Sequence, residues 1–168
     1  MHLSDKKWST RDIAELGVMV AALEAGKLAL AYLPNVEIVT FLIIMFAAVY
    51  GLKSVIAVLV FVGVECLLWP VSLWSIMYLY IWPLLAVLAY LCRKQSSVWF
   101  WSIFSALYGF CFGALCAVAY IFTSGIHTAV TWWIAGIPFD LIHGAGNFAI
   151  MLILYRPIRK VFRYHDLR

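Results

Sequence analysis

The chain has 168 residues, 66% of them hydrophobic and only 12% charged, with a formal net charge of +4. A soluble domain of that composition lacks the polar residues to cover its surface, which points to a polytopic α-helical membrane protein. The alternating segments of about ten residues that mark a transmembrane β-barrel are absent, and the basic residues sit at the ends of apolar runs, a topology signal rather than a nucleic-acid footprint.

Residues 1–12 are polar and basic, with Lys6, Lys7 and Arg11, and Ser9 offers an N-cap before the first helix. That helix is expected over residues 13–33, ending before Pro34. It is too long for a cleavable signal peptide and carries Glu24 and Lys27 within its apolar run. The segment Pro34, Asn35, Val36, Glu37 forms a short loop. Further helices are expected at 38–50, 54–69, 73–92 (with a kink at Pro83), 98–122 and 129–156, the last stretch being long enough to contain a lead-in segment before its helix. A basic tail covers 156–168, and the whole chain reads as one integral membrane domain.

Six spans put both ends of the chain on one side. Every Lys and Arg except Lys27 then falls on that side, in the N-terminal segment, at Lys53, at Arg93 and Lys94, and in the tail. The positive-inside rule makes that side cytoplasmic. Trp69, Trp74, Trp132 and Trp133 then fall near the outer interface.

Ionisable groups inside a bilayer cost a few kcal/mol each, so they face the protein interior or a cavity. Glu24 and Lys27, three apart on one helical face, read either as a self-neutralising ion pair or as part of a cavity wall. Gly17, Ala21 and Ala25 form a stripe of small residues roughly 110° around the same helix. It suits close packing within the chain or docking of a partner helix. On the last helix Asp140, His143 and Asn147 share a face with Gly136, giving a polar network or, less directly, an acid/base or metal pair. Glu65 and Glu37 lie toward the outer end. Tyr78, Tyr80, Trp82 and Tyr120 offer flat faces with polar tips for a ring-shaped ligand. Ser105, Gly109, Gly113 and Ala117 recur every four residues and read as a helix-packing seam. Cys66, Cys92, Cys111 and Cys116 have no ligand-like spacing and read as packing residues. The chain contains no phosphate-binding loop, and no inverted repeat is visible.

The segments AYLPNVEIVTFLIIMFAAVYG and GIPFDLIHGAGNFAIMLILYRPIRKVF, in a chain of this size and span number, resemble the substrate-binding S-components of energy-coupling factor (ECF) vitamin transporters, most closely the cobalamin type. The resemblance implies a six-helix S-component bundle in the bacterial plasma membrane. It implies a non-catalytic subunit with no intrinsic cofactor, which takes up a vitamin, cobalamin or another corrinoid first among them. Glu24, Lys27, Glu65, Tyr78, Asp140, His143 and Asn147 would line the substrate site, and Pro34–Glu37 would gate it from outside. Gly17, Ala21 and Ala25 would match the family's small-residue docking surface. The partners implied are a transmembrane coupling subunit and two subunits that hydrolyse ATP, with toppling in the bilayer as the transport step. Two other classes stay open: a stand-alone carrier coupled to an ion gradient, and a small intramembrane enzyme using Asp140, His143 and Glu65.

Overall fold

A computed structural model describes residues 8–166, with side chains through residue 162. Lys6, Lys7 and Arg168 lie outside the described residues, as does the side chain of Arg163. The fold is all-helical; no strand occurs among the described residues. Seven helical segments follow in order: α1 (Thr10–Ala29), α2 (Val39–Tyr50), α3 (Leu52–Leu68), α4 (Leu73–Leu91), α5 (Val98–Phe110), α6 (Phe112–Ser124) and α7 (Ile126–Asp166). Because α5 and α6 are one rod interrupted at Cys111, the molecule consists of six rods. Among the described residues, three stretches, Leu73–Leu91, Val98–Ser124 and Ile126–Phe162, are long and apolar enough to cross a membrane. The outer surface of the bundle carries large apolar side chains such as Leu67 and Phe122, more than four-fifths exposed at 87% and 85%.

Several boundaries differ from the sequence expectation: the helix expected over 98–122 is broken at Cys111, the last helix runs on to Asp166 instead of stopping at 156, and two further differences have a clear cause. Helix α1 ends at Ala29, not at Leu33. Pro34 has no N–H, and in a continuing helix its ring would clash with the carbonyl of Leu30 four residues back. The chain instead makes successive turns through residues 30–36, with Leu33 N–H on Leu30 O at 2.9 Å and Val36 N–H on Leu33 O at 3.3 Å. Asn35 takes the left-handed conformation at φ 59°, which an Asn tolerates better than most residues. At the other end of the chain, α7 begins at Ile126 with no separate lead-in. The reversal from α6 is made by Gly125 alone, at φ 85°, a backbone state that glycine adopts without a Cβ penalty.

Helix α2 sits at the centre. It is apolar on all faces, and a helix of that kind is stable only when surrounded; it packs on α1, α3, α4 and α7. Ile43, Ile44 and Met45 are fully buried, together with Met19 and Leu23 of α1, Phe61 of α3 and Ile81 and Leu85 of α4. The other half of the molecule is the α5–α6–α7 layer. There the four-residue seam packs internally: Gly109 lies so close to Gly144 of α7 that a Cβ on it would stand 2.8 Å from the Gly144 Cα. Ser105 donates to the Asn147 carbonyl at 3.2 Å on the same seam.

Helices α1 and α3 run parallel at a constant offset. Lys53 pairs with Glu15 at 2.8 Å at one end, and Lys27 pairs with Glu65 at the other, each separated by 38 residues in sequence. Lys53 also binds Asp12. Its hydrogen bond, followed by those from Ser9, holds the Asp12 carboxyl well below the usual carboxylate range, while the two acids push Lys53 up.

Candidate functional site

The end of the bundle defined by Lys27 and Glu65 contains two neighbouring cavities. The larger, about 410 Å³, is lined by Lys27, Glu65, Trp69, Pro70, Ser72, Trp74, Ser75 and Tyr78. The smaller, about 190 Å³, lies beneath the 30–38 loop and is lined by Asn35, Glu37, Phe61, Trp82, Phe112 and His143 among others. Lys27, Trp74 and Tyr78 line both, so the two spaces share a wall.

Local structure explains why these groups converge. Lys27 is in the last turn of α1 and Glu65 in the last turn of the parallel α3, so both side chains arrive at the same level. Trp69 and Pro70 end α3 in extended backbone, and Ser72 caps α4, whose first turns supply Trp74, Ser75 and Tyr78. The aromatic walls are continuous: Trp74, Tyr78 and Trp82 pack edge-to-face in sequence at 6.5 and 5.5 Å between ring centroids. Trp82 then meets Phe112 at 5.6 Å, and Phe112 meets His143 at 4.8 Å.

Lys27 is the chemical centre of the larger cavity. Its ammonium engages Glu65 and lies 5.6 Å from the Trp69 ring and 5.4 Å from the Tyr78 ring, within cation–π range. The reading of Glu24 and Lys27 as a self-neutralising pair is therefore wrong. Parallel packing of α1 on α3 presents a carboxylate at the level of Lys27, and the ammonium takes that partner instead of its own helical neighbour. Both Glu24 oxygens are buried, as is Oε1 of Glu65, and the two carboxyl groups are hydrogen-bonded to each other. Glu24 lies beside Glu65 and Lys27 but does not line either cavity.

The Asp140, His143, Asn147 face is divided among three tasks. Asp140 accepts the Gly113 N–H at 2.9 Å, satisfying an amide at the start of α6 where the α5–α6 rod is broken. This is the side-chain insertion that breaks a helical ladder, and it requires glycine: a Cβ on Gly113 would stand 2.3 Å from an Asp140 oxygen. His143 Nε2 lies 3.1 Å from Glu37 Oε1, while Glu37 Oε2 accepts the Thr40 N–H at 2.8 Å and so caps α2. Asn147 is buried against the α5 seam. Only His143 of the three reaches a cavity. Among the described residues, no group of three or more His, Cys, Asp and Glu side chains is placed to hold a metal ion.

Of the expected gate, Asn35 and Glu37 line the smaller cavity. Glu37 is anchored on both sides rather than free at the mouth. Sequence reasoning missed the contributions of Trp69 and Trp74, assigned there to an interfacial belt, and of Phe61, Phe112, Ser72 and Ser75. The clustering of Trp69 and Trp74 around Pro70 was the one signal that could have placed them. Tyr80 donates to the Leu115 carbonyl at 2.7 Å and Tyr120 stacks near Trp132, so neither faces the cavities. Gly17, Ala21 and Ala25 are exposed on the outside of α1, and a Cβ on Gly17 would meet nothing within 4 Å. Among the described residues, nothing buries the small stripe.

Compared with protein-family models, with curated proteins and with solved structures, the chain has no match in any of the three.

Proposed function

We propose that this chain is the substrate-binding S subunit of an ECF-type vitamin importer. The observation that carries the reading is the two-sidedness of α1. One face carries Lys27 into an aromatic cavity, and the other presents the exposed small residues Gly17, Ala21 and Ala25. Small residues on a helix surface let another helix approach closely, so one rigid element would join the ligand site to a coupling subunit. The cavity volume falls in the range of about 300–1,000 Å³ typical of small-molecule sites. A vitamin is the proposed ligand, with corrinoids first on the strength of the sequence resemblance. Two separate subunits that hydrolyse ATP would supply the energy.

In this reading six rods span the bacterial plasma membrane with both termini cytoplasmic. The cation clusters support that orientation. Lys53 ties the start of α3 to the start of α1, and Arg159 of α7 donates to Gln95 in the α4–α5 turn at 3.3 Å, so the basic segments gather at the end of the bundle away from the cavities.

The test combines two measurements on the purified chain. Calorimetric titration against a vitamin panel that includes cobalamin and cobinamide should give saturable binding. Co-expression with an ECF coupling module should yield a stable complex. Uptake in a host lacking every coupling subunit would favour an ion-coupled carrier instead.

A further inference from the structure

The basic end of the bundle, away from the two cavities described above, holds a third. It has a volume of about 250 Å³ and is lined by Ser96 of the α4–α5 turn and by Tyr155, Arg156, Arg159 and Lys160 of α7. Among the described residues no Asp or Glu lines it, and Asp12 and Glu15, the described acids at this end, are engaged by Lys53. Arg159 is part of the frame. It donates to the Gln95 carbonyl at 3.3 Å and to the Tyr155 hydroxyl, and its guanidinium lies 5.3 Å from the Tyr155 ring. The Gln95 carbonyl also accepts from Trp101 Nε1 at 3.2 Å, so the turn that carries Ser96 is tied to both α5 and α7.

Arg156 and Lys160 are placed differently. Both are exposed, and neither makes a hydrogen bond or an ion pair with another described residue. They stand four apart on α7, and Arg159 is three from Arg156, so the three cations share one helical face, where like charges repel. An anion between them relieves that repulsion. Arg presents a planar fork of donors that matches phosphate oxygens, and Lys adds a point charge.

An apolar surface continues from this cavity along the bundle. Ile153 and Ala149 lie on the α7 face of Arg156 and Lys160, about 4.5 and 10.5 Å along the axis from Arg156, and both are exposed. On the α5 side Trp99, three residues after Ser96, is more than half exposed and packs on Phe148 of α7 at 6.3 Å between ring centroids. A soluble phosphate has no use for such a rim. A phospholipid has both parts, and basic pockets at the ends of membrane helices hold anionic headgroups.

We infer that the third cavity binds the phosphate headgroup of an anionic phospholipid, with Arg156 and Lys160 on its oxygens, Ser96 as a further hydroxyl donor, and the acyl chains along Ile153, Ala149 and Trp99. The inference requires only that the bundle resides in a bilayer and is independent of the transport reading. A lipid seated here bridges the α4–α5 turn and α7.

Native mass spectrometry of the purified full chain in detergent, titrated with phosphatidylglycerol or with phosphatidylcholine of the same acyl chains, tests it. The first phosphatidylglycerol should be retained at least tenfold better than phosphatidylcholine. Arg156→Gln combined with Lys160→Gln should bring the two lipids within about twofold. Ser96→Asp, which places a carboxylate in the cavity and leaves the cations intact, should do the same. Arg11→Gln combined with Lys94→Gln removes as much charge outside the cavity and should keep the preference. Inorganic phosphate and glycerol 3-phosphate, added at millimolar concentration, should fail to displace the bound lipid. Equal retention of the two lipids by the native chain overturns the inference. Equal loss in both double variants, which would mean diffuse surface charge, overturns it as well. Displacement by free phosphate in a manner that depends on Arg156 and Lys160 overturns the lipid assignment in favour of a soluble phosphate ligand.

Discussion

Glu37, just before α2, and His143, in the middle of α7, meet at 3.1 Å across 106 residues of sequence. This contact fastens the loop over the smaller cavity to the longest helix of the molecule, and Glu37 simultaneously caps α2 through Thr40. The loop, the central helix and α7 are therefore mechanically one unit at the cavity end.

Replacing His143 by Ala removes that fastening and leaves a carboxylate oxygen of Glu37 without its partner, a loss on the order of 1–3 kcal/mol. Hydrogen exchange over residues 30–38 should accelerate in His143→Ala, with recovery in His143→Gln, which restores a donor at a similar reach. Unchanged exchange in His143→Ala would show that the loop is held by other contacts.

The small stripe on α1 and the glycine seam on α5 should respond oppositely to added bulk. Ala21→Leu combined with Ala25→Leu should leave ligand affinity within about twofold and abolish uptake, because both positions face outward. If uptake persists, the docking face lies elsewhere.

Gly109→Ala inserts a Cβ against the backbone of Gly144 and must push α5 from α7. Overpacking of this kind costs about 1–3 kcal/mol. Gly17→Ala, where the added carbon meets nothing within 4 Å, should be neutral or should gain up to about 1 kcal/mol from helix propensity. Thermal unfolding of the two variants side by side in one detergent measures the contrast.

Asp140 works as a cap for the broken α5–α6 rod, so its removal is a stability change. Asp140→Ala should destabilise by about 1–2 kcal/mol, comparable to losing a helix cap, while Asp140→Asn retains an acceptor and should lose less. A turnover activity abolished equally by Asn and Ala would instead support the intramembrane enzyme reading.

At the opposite end, Asp12 is held well below the ordinary carboxylate range by Lys53 and Ser9. A group with a depressed folded value contributes stability above its unfolded value, near about 4, and loses it as pH falls toward the folded value. The difference in unfolding temperature between the native chain and Asp12→Asn should thus be constant from neutrality to about pH 4 and shrink below it.

The sequence by itself determined what local chemistry can determine. Hydropathy separated the apolar runs, Pro34 marked the end of the first to within a few residues, and the four-residue spacing from Ser105 to Ala117 identified a packing seam. Even there Pro34 acted on the carbonyl of Leu30, so the helix stopped earlier than the residue before proline. The partner of Lys27 was beyond its reach. Glu24, three residues away, was the visible candidate, but which carboxylate an ammonium takes depends on how α1 is rotated against α3. The same holds for Asp140 and His143, adjacent on one helical face yet directed to Gly113 and Glu37 by separate neighbours. Periodicity assigns residues to a face. Only packing decides what that face meets, because burial leaves a charged or polar group no water to fall back on and forces it onto whichever partner the neighbouring helices supply.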